Sequence, residues 1–142
     1  KPHLVQIVMV FLKKPSLAQL NQFNEETMVS HLGIEFTDVG DDFLEATMPV
    51  DSRTKQPMGL LHGGANVVLA ETLGSVAAAF TLATKDEVVV GLEINANHLK
   101  SVRDGKVIGK AKPIHLGKST QVWEIKIKNE EIRMDSVTIT AN

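Results

Sequence analysis

The chain has 142 residues and a formal charge of −2 at pH 7, the size of one domain with no global charge that would steer it toward nucleic acid. Cysteine is absent, which excludes disulfide scaffolds, cysteine–zinc sites, iron–sulfur clusters and any thiol nucleophile. Aliphatic residues dominate a 43% hydrophobic content while aromatics make up 4%, so a packed core is expected and a base-stacking platform is not.

The N-terminus opens with an apolar run, Leu4–Leu12, interrupted by Gln6 and followed by Lys13, Lys14 and Pro15. It is far shorter than the ~20 residues of a membrane-spanning helix, and no small-residue cleavage site follows it. An extra strand, a packed extension or a foreign leader are the ordinary readings. Ser16 is placed to cap a short helix over Leu17–Met28, with Leu17, Leu20 and Phe23 at helical spacing. Gly33–Val39 and Phe43–Val50 read as strands joined through Gly40-Asp41-Asp42. In the second, Leu44, Ala46, Met48 and Val50 alternate with Glu45, Thr47 and Pro49, the pattern of a sheet with one buried face, and Pro49 marks a strand end or an edge.

A loop rich in Gly and Pro, Gln56–Gly64, leads into the longest helical candidate, Ala65–Ala83, which is apolar almost all round and so must be wrapped by other structure. Four extended runs follow: Val88–Leu99, Lys106–Pro113, Thr120–Lys128 and Ile132–Ala141. Asp104-Gly105 predicts a hairpin between the first two, while Leu116-Gly117 and Asn129-Glu130 punctuate the rest. With no repeat, linker or low-complexity tract, the simplest architecture is one α+β domain, a six-stranded antiparallel sheet curled around one long central helix.

Most common catalytic motifs are missing, and the five histidines (His3, His31, His62, His98, His115) have no metal-ligand spacing, so no metal site is expected. Two features remain. Glu71 lies in the middle of the apolar helix, where a carboxylate is costly to bury unless it is paired or working. A wet stripe shared with Asn66, Thr72 and Ser75, or a structural ion pair, would account for it equally well. The second feature is His62-Gly63-Gly64 at the helix start. Unpaired backbone N–H groups there, with no side chains in the way, form a cradle for an anion or a developing oxyanion, although a plain glycine-rich turn has the same sequence.

Glu71 follows His62 by nine residues, roughly 13 Å along the helix and nearly on its opposite side. Either His62 folds back, or a site joins the helix start of one subunit to Glu71 of another. Ser75 is one turn from Glu71 on the same face and could orient the carboxylate or a water. A carboxylate with backbone oxyanion donors, but no Cys, metal or serine elbow, suits a thioester, whose thiol leaves readily as thiolate.

The stretch Ala46–Ser75 resembles the hotdog-fold acyl-CoA thioesterases, especially the bacterial branch acting on aromatic acyl-CoA. The resemblance continues through MVSHLGI (Met28–Ile34), VVGLEINANHLK (Val89–Lys100) and PIHLGKSTQVWEI (Pro113–Ile125). It leaves residues 1–16 outside as an N-terminal extension and makes 17–142 the hotdog domain. It implies a cytoplasmic enzyme without cofactor, since coenzyme A belongs to the substrate, and with no nucleic-acid or membrane partner. It also implies a homodimer that forms the site and pairs again into a tetramer. Glu71 takes the place of the nucleophile or general base. The Gly63 N–H polarises the carbonyl, with Gln56 and His62 nearby, and Ser75 positions water. His98 falls near the substrate or the coenzyme A arm. Lys100, Arg103 and Lys118 are the candidate cations for the nucleotide phosphates. The C-terminal strand departs from the branch, carrying Met134, Asp135 and Ser136 where cysteines are frequent.

Two other readings stand beside this one. A hotdog 3-hydroxyacyl dehydratase would also use a histidine and an acid, although Gly-Gly after His62 replaces the longer proline-containing loop of that group. A non-catalytic acyl-CoA-binding domain would bind the thioester and leave it intact.

Overall fold

The computed structural model describes residues 10–12, 14–82, 86–129 and, as backbone, 134–141; most of the apolar run Leu4–Leu12 lies outside this set. Phe11 is fully buried, its ring stacked on Trp123 with centroids 6.3 Å apart, and Val10 N–H donates to the Asp41 carbonyl at 3.0 Å. Ser16 caps α1 (Leu17–Phe23) by accepting from Gln19 N–H. The helix stops five residues short of the expected Met28. Asn24 closes it by donating from its side chain to the Leu20 carbonyl at 2.7 Å, Glu26 takes a φ of 60°, and Thr27 caps a separate α2 (Met28–His31). Leu20 is buried, whereas Phe23, placed on the same apolar face by its spacing, is exposed.

Among the described residues six strands follow the two short helices: β1 (Glu35–Val39), β2 (Leu44–Pro49), β3 (Gly91–Asn97), β4 (Lys106–Leu116), β5 (Gln121–Asn129) and β6 (Met134–Ala141). They form one antiparallel sheet in the order β1-β2-β4-β5-β6-β3. Asn21 ties α1 to β1, its amide exchanging two hydrogen bonds with the Phe36 backbone. Burial alternates along β2 as its sequence predicts, and Pro49 ends it. On β5, Trp123, Ile125 and Ile127 are buried while Lys126 and Lys128 face water.

The Asp104-Gly105 hairpin does not form. β3 pairs with β6, while β4 pairs with β2 and β5. Gly105 takes a φ of 78° and its carbonyl accepts from Val50 N–H at 2.8 Å, so the turn starts β4 beside the end of β2. The Asp-Gly pair reports a left-handed backbone position, which the end of a crossover requires as much as a hairpin does. β4 also runs past Pro113 to Leu116, absorbing the missing proline N–H in a register shift between Pro113 and His115.

The central helix α3 (Gly63–Ala79) begins two residues before the expected start and ends four before the expected end. His62 caps it, its Nδ1 accepting from Gly64 N–H at 2.7 Å. Its C-terminal turn closes where Thr81 Oγ1 donates to the Ala78 carbonyl at 2.7 Å. Leu69, Ala70, Leu73, Ala77 and Ala78 are fully buried against the sheet. The opposite side, with Val68, Glu71, Thr72 and Ser75, is only half-covered. The expected all-round wrapping is therefore incomplete among the described residues. Asn66, grouped with the wet stripe by composition, is buried on the other side of the helix. Among the described residues no helix is long and apolar enough to cross a membrane.

Candidate active site

Glu71 is half-buried on the open face of α3, and its Oε1 accepts a hydrogen bond from Ser75 Oγ at 3.1 Å. The i, i+4 spacing puts both side chains on one face, so the hydroxyl serves the carboxylate instead of the preceding turn of backbone. The carboxylate lies against the start of β3, above Gly91. The sequence reading missed Gly91. Its only signal is a glycine in a run of β-branched residues, which marks a close approach without naming what approaches.

A second cluster gathers at the helix start. The loop before α3 is fixed by Thr54, a buried hydroxyl that donates to the Pro49 carbonyl at 2.8 Å and accepts from Asp51 N–H at 3.1 Å. The Thr54 carbonyl in turn accepts from His62 N–H at 2.8 Å. Arg53 clamps the same turn, bonding Asp51 at 2.7 Å and the His31 carbonyl at 3.2 Å. These hydrogen bonds from Arg53 hold the Asp51 carboxyl below the usual range for an aspartate.

Gln56, Leu61, Gly63, Asn66 and His98 line one cleft of about 310 Å³. The Gln56 Oε1 accepts from Met58 N–H, which leaves its NH₂ as the donating end. His98 packs on the bare Cα of Gly63, so that a Cβ built there would lie 3.0 Å from its Nε2. The exposed His62 ring is turned onto its own helix end by the Gly64 bond and does not fold back toward Glu71. Within one chain the two clusters stand about 12 Å apart along α3.

The candidate cations divide. Lys100 and Arg103 line a cleft of about 660 Å³ together with Lys106, which the sequence reading did not single out. It shares Leu60, Leu99, Lys100, Ser101 and Val102 with the cleft at the helix start. Lys118 lies elsewhere, beside Val88–Val90 and Gln121, at the opposite end of β4 and roughly 30 Å from Lys106 along the strand.

The chain thus lays a long helix across an antiparallel sheet, with a lone carboxylate on its open face and a glycine-rich N-terminus. The family model of the thioesterase superfamily matches residues 58–135, and the chain belongs to that superfamily. It is 56% identical over 126 residues to the 1,4-dihydroxy-2-naphthoyl-CoA hydrolase of Escherichia coli, a match spanning 89% of this chain and 92% of that one. With the proofreading thioesterase EntH of Cronobacter turicensis it shares 53% identity over 126 residues, spanning 88% and 90%. A solved thioesterase structure from Haemophilus influenzae superposes with a TM-score of 0.90 at 51% identity, covering 94% of this chain and 93% of that chain.

Proposed function

We propose that this chain hydrolyses acyl-CoA thioesters bearing aromatic or otherwise bulky acyl groups, giving the free acid and coenzyme A. Glu71 acts as nucleophile or general base. The observation that carries the reading is the hydrogen-bonded Glu71–Ser75 pair, a carboxylate held on the open face of an otherwise apolar helix. As general base, Glu71 takes a proton from water while the oxygen of that water attacks the thioester carbonyl. The tetrahedral oxyanion then collapses, the C–S bond breaks, and the thiolate leaves and is protonated. As nucleophile, the carboxylate attacks the carbonyl and displaces coenzyme A as thiolate, and water then hydrolyses the resulting mixed anhydride to free acid and Glu71. The Gly63 N–H, reinforced by the helix dipole and by the Gln56 amide, stabilises the oxyanion in either route.

The ~12 Å between that cradle and Glu71 favours a site shared by two copies, each supplying one cluster, with a tetramer as a pair of such dimers. Further support comes from β3, an edge strand whose flank carries the exposed apolar residues Val88, Val90 and Leu92. The nucleotide phosphates of coenzyme A would lie against Lys100 and Arg103 beside the helix-start cleft, with His98 near the pantetheine arm. No cofactor is invoked, and coenzyme A enters as part of the substrate. The working domain runs over residues 17–142, with residues 1–16 as an N-terminal extension that Phe11 straps to Trp123.

Thiol release from benzoyl-CoA tests the assignment. Glu71→Ala should lower turnover by at least ~10²-fold with the fold retained. An unchanged rate would overturn it.

A further inference from the structure

β3 opens with a glycine that its backbone does not require. Gly91 is not among the positive-φ glycines, so an alanine could adopt its conformation. Glycine is otherwise unfavourable in a strand, because it loses backbone entropy and packs nothing. What it supplies here is room. A Cβ built at Gly91 would stand 2.8 Å from Glu71 Oε1, 3.7 Å from Cδ and 3.9 Å from Oε2. The same Oε1 accepts from Ser75 Oγ at 3.1 Å. One carboxylate oxygen is thus held between a bare Cα of β3 and a hydroxyl of α3, while Oε2 is the oxygen farther from that wall.

We infer that Gly91 is a positioning residue for Glu71. Its missing side chain lets the carboxylate settle against β3 with Oε1 bonded to Ser75, which leaves Oε2 to act on water or on the thioester. The inference rests on the reading of Glu71 as the catalytic carboxylate. A methyl group at position 91 has one soft neighbour to displace, the end of the Glu71 side chain. To reach an ordinary contact of ~3.4 Å, Oε1 must shift by about half an ångström, which also disturbs its bond to Ser75. The fold tolerates such a shift because no backbone moves. Catalysis does not, since misplacement of a reacting group by ~1 Å can cost 10²-fold.

The test measures thiol release from benzoyl-CoA and thermal melting for the full chain and for Glu71→Ala, Gly91→Ala, Ser75→Ala and the Gly91→Ala/Ser75→Ala pair. Gly91→Ala is expected to melt at or above the wild-type temperature, with kcat down about 10- to 100-fold and KM changed less than ~3-fold. In the Ser75→Ala background the same substitution should cost less than ~3-fold, because the bond that fixes Oε1 is already gone. Wild-type kcat in Gly91→Ala, alongside an inactive Glu71→Ala, would overturn the inference and leave the functional reading intact. Losses that simply multiply in the double variant, or a Gly91→Ala chain that fails to fold, would also overturn it, by giving Gly91 a structural role. A wild-type chain that releases no thiol, or an active Glu71→Ala, would instead overturn the functional reading.

Discussion

Glu71 is conspicuous in the sequence because a carboxylate inside an apolar helix is costly wherever the helix packs. Its partner Ser75 follows from helical spacing alone. Gly91 could not be found in that way: its role depends on which strand comes to lie beside α3, and that is a tertiary fact. Asp51 is a similar case, a turn residue by composition whose environment is set by Arg53. Because Arg53 holds the Asp51 carboxyl below its ordinary value, the pair contributes to folding at neutral pH. That contribution persists down to the unfolded value of about 3.9 and is lost as pH falls further, through the lower folded value. The pair is solvent-exposed, so the effect is small. Thermal melts at pH 7, 4 and 3 should show Asp51→Asn slightly below wild type at pH 7, with the gap closing toward pH 3. A gap that widens toward low pH would contradict the sign.

The strands are the most legible elements, because alternation with period two survives packing and directly reports the buried face of β2 and β5. Helix ends are less so. α1 stops at Asn24 because a side-chain amide competes for the Leu20 carbonyl, and α3 starts early because a histidine caps as an aspartate would. The Asp-Gly turn is legible as a dihedral angle and not as a pairing. Least legible was Phe11, which belongs to an apolar run with several plausible fates yet stacks on the one Trp of the chain. Phe11→Ala should destabilise the fold by about 3–5 kcal/mol, the usual range for deleting a buried aromatic ring. Denaturant unfolding followed by Trp123 fluorescence would measure it, and a loss below ~1 kcal/mol would mean that the strap is dispensable.

At the scale of the molecule, the face of α3 with Glu71 is only half-covered and the edge at β3 exposes Val88, Val90 and Leu92, with no further strand beside β3 among the described residues. The sequence revealed the mismatch, since His62 and Glu71 are too far apart along the helix to meet, but it could not identify the face that closes it. If a second copy does so, Leu92→Lys at this exposed position should leave a folded, monomeric chain that releases little thiol. Sedimentation velocity with the same benzoyl-CoA assay is the check. A monomeric variant with full activity would refute the shared site.

The strand order also bears on how the chain is made. β3 leaves the ribosome well before β6, its only partner among the described strands. At 5–20 residues per second, several seconds separate the emergence of the two. Through that interval α3 is already synthesised, and the wall against which its carboxylate rests lacks its β6 partner. The working geometry of Glu71 is therefore completed only once β6 has been made, so that a chain interrupted before β6 carries every proposed catalytic side chain and still has no seated site.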